Sequence, residues 1–217
     1  MEESVNISSE IKLSTDGKQQ FLFDLGLNPE DTTLDKQEVF DRFLTYRRRM
    51  ARMSAVQALY LYDIRKKNNI SQGDNLFESG DIAPQSVQLC EEVISFYQNV
   101  FFTPEEYGDS KKNKKIDEPF MFELVNTAIN NIDEIDGYIK THINSNWTID
   151  KLDYILRAII RCAIAEILIG AKIEKAVLSS EYTNLASDYF NGKEIGFING
   201  IVDRLYTSVL KRHPFVQ

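Results

Sequence analysis

The stretch KLDYILRAIIRCAIAEILIGA, Lys151 to Ala171, is apolar around nearly the whole of a helical wheel, with Arg157, Arg161 and Glu166 set into it. A helix of that kind has to be covered by neighbours on several sides. It cannot instead be a membrane span, because the longest apolar run, AIAEILIGA after Cys162, is broken by Glu166 and falls short of the roughly 20 residues a bilayer requires. The chain therefore has to supply several further helices to pack around this one.

The remaining segments meet that requirement. Asp35 and Glu38 form a capping-box pattern that starts a helix reaching about Lys67. Asp81 caps a second helix with apolar positions Ile82, Val87, Leu89, Val93, Ile94, Tyr97 and Val100, ending near Phe102. Pro119 opens a long amphipathic helix carrying Phe122, Val125, Ile129, Ile132, Ile139 and Ile143. Asp150 is the expected cap of the central helix. Two amphipathic segments follow, Val177 to Tyr189, closed by Asn191-Gly192, and Phe197 to Val209, with Arg204, Lys211 and Arg212 toward the last C-terminus. No alternating strand pattern appears, and the expected fold class is all-α.

Charge is unevenly distributed. The chain of 217 residues holds 25 Lys+Arg against 33 Asp+Glu, a net of -8. Residues 1–42 hold ten acids and four bases, a net of -6, so the rest carries only -2. Residues 1–34 read as an acidic, largely flexible extension with one apolar patch, FLFDLGL, and residues 35–217 as the helical domain, with a charged loop at 103–119 that contains Lys111, Lys112, Lys114 and Lys115. The amino terminus lacks the pattern of a secretory signal or transit peptide. Cys90 and Cys162 fall in apolar helical patterns without metal-type spacing, which implies buried reduced thiols, a cytoplasmic location and no zinc site.

Against this background YRRRMARMSAVQALYLYD, Tyr46 to Asp63, is distinctive. At about 100° per residue Ala51, Ala55, Ala58 and Tyr62 share one sector and face the core, while Arg48, Arg49, Arg52 and Tyr60 gather on another side and face out. Arg49 and Tyr60 lie about three turns apart at one azimuth, an arginine and aromatic stripe roughly 16 Å long. Such a stripe suits single-stranded RNA, whose phosphates attract guanidinium groups and whose bases stack on rings. A solvated basic face is the alternative reading. Arg157 and Arg161, inside the buried helix, require carboxylates, and Glu166 and Glu181 are the candidate partners. His142 and His213 stand in no catalytic constellation, and no phosphate-binding glycine loop or nucleophile motif is present. The sequence gives no indication of an enzyme or of a cofactor.

Three motifs in order, RRMARMSAVQALY (Arg48 to Tyr60), the Trp147 to Leu168 segment with LRAIIRCAIAEIL, and VLSSEYTNLASDYF followed by FINGIVDRL (Val177 to Leu205), resemble the NusB family of bacterial transcription antitermination factors. The resemblance covers most of residues 46–210. It departs at Ser180 and Ser187, where the family often has Asn and Lys, and matches at Glu181, Phe197, Asn199 and Gly200. It implies a two-subdomain bundle of about six to seven helices that binds boxA-like single-stranded RNA with a NusE-like small-subunit ribosomal protein, acts on the transcription elongation complex and supports rRNA transcription. The resemblance assigns RNA contact to Arg48, Arg49 and Arg52, with Gln57 and Tyr60 nearby; Arg47 joins them from the basic run, and Phe197 and Asn199 are candidates because they open the last helix, where free N–H groups can receive a phosphate. No membrane contact is expected, and the state is a monomer or weak homodimer. Two rivals are a helical interaction module without RNA binding and an accessory module for an RNA methyltransferase, the latter disfavoured because the chain has no glycine-rich cofactor loop.

The extension's negative charge lies directly before the arginines and is placed to compete with RNA. Deleting residues 1–34 is expected to raise RNA affinity, most at low salt, in a binding titration across a salt series; unchanged affinity removes the idea.

Overall fold

The computed structural model describes residues 36–72, 82–100, 116–143, 148–170 and 172–214. The acidic extension, the expected caps Asp35 and Asp81, Trp147 and the four loop lysines lie outside the described residues. Among those described there are seven α-helices, one 3₁₀ turn and no strand: α1 (Lys36–Gln72), α2 (Ile82–Val100), α3 (Glu118–Asn130), α4 (Ile132–His142), the turn Ile149–Lys151, α5 (Tyr154–Leu168), α6 (Lys175–Ser187) and α7 (Lys193–Arg212). The expected all-α class and helix number agree with this. No helix of the described residues is long and apolar enough to cross a membrane.

The described residues fall into two compact units. The smaller holds residues 36–51, 94–100 and 116–117; the larger begins at Arg52 and holds the rest. In the larger unit α5 is central, packed against α3, α4, α6 and α7, and α7 also lies along α6 and α4. Every residue from Leu156 to Ile167 is buried, as its all-round apolar pattern requires. Its cap is Asp153, whose side chain accepts from the N–H groups of Ile155 and Leu156; Asp150, the expected cap, sits in the preceding 3₁₀ turn.

Three further sequence expectations are corrected. The helix expected to run unbroken from Pro119 to Ile143 is two helices. Asn131 leaves the helical region at φ −113°, ψ 23°, and its side-chain amide donates to the Thr127 carbonyl at 2.8 Å. An asparagine that bonds local backbone in this way offers the chain an alternative to the continuing ladder. The apolar period passes through the break unchanged, which is why the sequence reads as continuous. The second correction concerns Val87 and Val177, both expected on apolar faces, which are exposed. The third concerns α7, which begins at Lys193 after Gly192, whose φ of +89° lies in the range that favours glycine. α6 ends at Ser187 with Asp188 as its C-cap, so Gly192 precedes α7 rather than closing α6 as expected, and Phe197 and Asn199 lie a turn or more inside α7, beyond its free N–H groups.

Two arginines on α5 face a carboxylate of α1. Asp63 accepts from Arg157 Nε at 2.9 Å and from Arg161 Nη1 at 2.9 Å, and Arg161 makes a second, two-pronged pair with Asp136 of α4 at 2.8 and 2.9 Å. Arg157 also donates to the Ile149 carbonyl and stacks over Tyr154. Both arginines are thus in structural ion pairs, as expected, but their partners are Asp63 and Asp136. Glu166 and Glu181 serve another arginine. Spacing explains the exchange: Arg157 and Arg161 differ by one turn and reach the same carboxylate, whereas Arg161 and Glu166, five residues apart, point about 140° away from each other. Burial alone would lower the Arg161 pKa, but the bonds and charges of Asp136 and Asp63 more than offset it and raise it overall.

Cys90 and Cys162 are buried and unpaired. Burial pushes the Cys90 thiol up to about 12 and the Cys162 thiol up as well, so neither is a thiolate near neutral pH. Replacing Arg161 with Ala leaves Asp136 without its arginine and Asp63 with Arg157 alone; a loss of about 3–5 kcal/mol, roughly a 10 °C fall in Tm, is expected in a thermal melt. An unchanged Tm would remove the assignment.

Candidate nucleic-acid interface

α1 carries most of the sequence-predicted binding residues. Its small residues Ala51, Ala55 and Ala58 are fully buried and Tyr62 nearly so, as the periodicity expects. In the smaller unit Arg48 and Arg49 are exposed and Arg47 is half-buried. Arg48 pairs with Asp117 at 2.8 Å across a partly exposed contact. Arg47 stacks over Phe43 and donates from Nη2 to the Ile116 carbonyl at 3.2 Å, while its own backbone carbonyl accepts from Asp117 N–H at 3.3 Å. Ile116 itself is buried. The Ile116–Asp117 stretch is thus fastened to the arginine run by two backbone contacts and one ion pair. Sequence reasoning missed Asp117, because nothing local links positions 69 residues apart.

Arg52 departs from the expectation. Helical periodicity puts it on the outward face with Arg48 and Arg49, yet it is only 5 % exposed. Its Nε and Nη2 donate to both oxygens of Glu166 at 2.9 and 2.7 Å, and Nη1 donates to Glu181 at 2.8 Å. The Tyr182 hydroxyl donates to Glu166 at 2.8 Å, and the Arg52 guanidinium lies over the Phe120 ring. A planar five-donor group is the side chain that matches two carboxylates at once. Burial alone would lower its pKa, but Glu166, with Tyr182 and Glu181, more than offsets this and raises it overall. Tyr182, wholly buried against the same carboxylate, has its pKa raised well above the usual value, first by burial. Arg52 is a permanent cation whose charge is matched inside the protein.

Further along α1, Tyr60 is partly exposed and meets Tyr154 edge-on at 6.5 Å between centroids. Lys67 lies over the other ring of that pair, Tyr154. Gln57 is half-buried and donates to the Tyr189 hydroxyl at 3.4 Å. On α7, Phe197 is half-buried, and exposed Asn199 bonds to Thr183. Arg48, Arg49, Tyr60 and Asn199 therefore offer solvent-facing groups, whereas Arg52 does not. Among the described residues no group of His, Cys, Asp and Glu is arranged to hold a metal ion.

A protein whose described residues are helical, with exposed arginines on its first helix and a buried charge network in its larger unit, belongs to the class of helical-bundle factors. The NusB family model matches residues 102–207. The transcription antitermination protein NusB of Sphingopyxis alaskensis is 30% identical over 165 residues, covering 76% of this chain and 95% of the relative, and that of Rickettsia bellii is 30% identical over 156 residues, covering 72% and 87%. A crystal structure of antitermination factors NusB and NusE in complex with dsRNA matches with a TM-score of 0.52 and 25% identity, over 76% of this chain and 98% of that one. Thermotoga maritima NusB, at 22% identity and a TM-score of 0.51, shares the fold. The chain belongs to the NusB family.

Arg52 and Arg48 are predicted to separate cleanly in stability. Replacing Arg52 with Ala strands Glu166 in the interior and should lower stability by about 3–5 kcal/mol, whereas replacing Arg48 with Ala, which removes an exposed pair, should change it by less than about 1 kcal/mol. Urea unfolding of both variants checks this.

Proposed function

We propose that the protein is a transcription antitermination factor that binds boxA-like RNA together with a NusE-like small-subunit ribosomal protein, acting on the transcription elongation complex in the cytoplasm and supporting rRNA transcription. The observation that carries this reading is the alignment with nearly the full length of a relative named for antitermination, joined to the similarity to NusB as it occurs in a complex with NusE and RNA.

The RNA-binding face is the arginine run of α1. Arg48 and Arg49 meet phosphates directly, and Arg47 contributes from its half-buried position. Binding of this kind is driven by phosphate neutralisation and falls with salt. Tyr60 offers a ring to a base, and Gln57 and Asn199 offer amide groups to base edges or sugars. Phe197, half-buried on α7, offers part of a ring to a base. Arg52 acts in the proposal as a positioning residue: held by Glu166 and Glu181, it fixes the rotation of α1 rather than touching RNA. The exposed aromatic favours unstacked bases over a duplex.

Fluorescence anisotropy with a labelled single-stranded boxA RNA and with a duplex of the same sequence, in the presence of the NusE-like protein, tests the reading. Wild type should bind the single strand more tightly, and the double variant Arg48→Ala, Arg49→Ala should lose at least tenfold in affinity and part of the salt slope. Equal binding by both proteins places RNA contact elsewhere. Association with the ribosomal protein without RNA binding makes this an interaction module.

A further inference from the structure

The contact between Arg48 and Asp117 occupies the group that the proposed function assigns to RNA. Asp117 reaches Arg48 from 69 residues away, and its carboxylate accepts from Nη1 at 2.8 Å. The stretch that carries it is not loosely placed: Asp117 N–H donates to the Arg47 carbonyl, Arg47 donates to the Ile116 carbonyl, and Ile116 is buried. The backbone therefore holds one negative charge against the arginine run regardless of what the Asp117 side chain does. The ion pair itself is half open to water, with side-chain exposures of 44% for Arg48 and 27% for Asp117. A pair so exposed is weak and exchanges readily.

From this geometry we infer that Asp117 is an internal competitor for the RNA phosphate at Arg48, and so an affinity- and specificity-setting residue of the RNA face. The inference rests on the RNA-binding reading above. A phosphate that engages Arg48 in a two-pronged fork needs adjacent N–H groups, and Asp117 holds one of the guanidinium nitrogens. It also lies where it repels an incoming anion and offsets part of the positive charge of the arginine run. A single anion gains little by displacing it. A polyanion that reaches Arg49 and Arg47 in the same binding event displaces Asp117 as part of a multivalent exchange, so the contact filters isolated phosphates and carboxylates from a nucleic-acid strand. The opposite role, a carboxylate that orients Arg48 for RNA, predicts the opposite sign on removal.

The test compares wild type, Asp117→Asn, Asp117→Ser, Arg48→Ala and the double variant Arg48→Ala, Asp117→Asn, using the labelled single-stranded boxA RNA with the NusE-like protein, at low and at high salt. Both substitutions of Asp117 keep the backbone N–H that bonds to Arg47, so a shared effect reports on the carboxylate. Asp117→Asn and Asp117→Ser should bind RNA about two- to fivefold more tightly at low salt, the range expected for one exposed ion pair. The gain should shrink at high salt and vanish in the Arg48→Ala background. Inorganic phosphate at millimolar concentration should inhibit RNA binding by the Asp117 variants more than by wild type. Unchanged or weaker RNA binding by the Asp117 variants, with Arg48→Ala still impaired, overturns this inference alone. A gain that persists without Arg48 also overturns it. RNA binding that is indifferent to Arg48 removes the RNA face and this inference together.

Discussion

The buried charges shared between α1 and α5 are the constraint on which the larger unit depends. α1 contributes a cation and an anion, Arg52 and Asp63, and α5 contributes the complementary set, Glu166 against Arg157 and Arg161. The order of pairing runs in opposite directions along the two helices, which makes them antiparallel, and the alternation of sign means that a slide of α1 along α5 would leave charges unmatched in a dry interior. Unpaired buried charge costs several kcal/mol, far more than an apolar mismatch. Apolar burial along α5 supplies the cohesion, and the charges supply the register. Asp136 and Glu181 extend the same logic to α4 and α6.

That register decides what a basic motif can do. Within one arginine-rich stretch the side chains have different environments: Arg52 turns into the core beneath Phe120, Arg47 lies against Phe43, and Arg48 and Arg49 face water. The run therefore both builds the protein and presents a surface.

Much of this was legible in the sequence. The all-round apolar pattern of α5 could only be a buried helix, the alanine sector of α1 could only be its packed face, and the need of Arg157 and Arg161 for carboxylates follows from burial alone. What the pattern could not give was partnership. Arg52 lies near Arg48 on the helical wheel, so periodicity groups them, and only Glu166, 114 residues on, separates them. The same limit hid Asp117 as the partner of Arg48. Spacing alone separates Arg161 from Glu166, since residues five apart on one helix face away from each other. The break at Asn131 was hidden for another reason: apolar spacing continues across it, and an asparagine side chain bonding its own backbone leaves no trace in a hydrophobic period.

The distances along the chain between the buried partners bear on how the protein is made. Asp63 waits 94 residues for Arg157, and Arg52 waits 114 for Glu166. At a synthesis rate of 5–20 residues per second, the second half of α1 leaves the ribosome on the order of ten seconds before α5 exists to pair with it. During that interval Arg52 and Asp63 lack the α5 partners that match them in the folded protein. The buried pairs of the larger unit are therefore completed only once α5 and α6 have emerged.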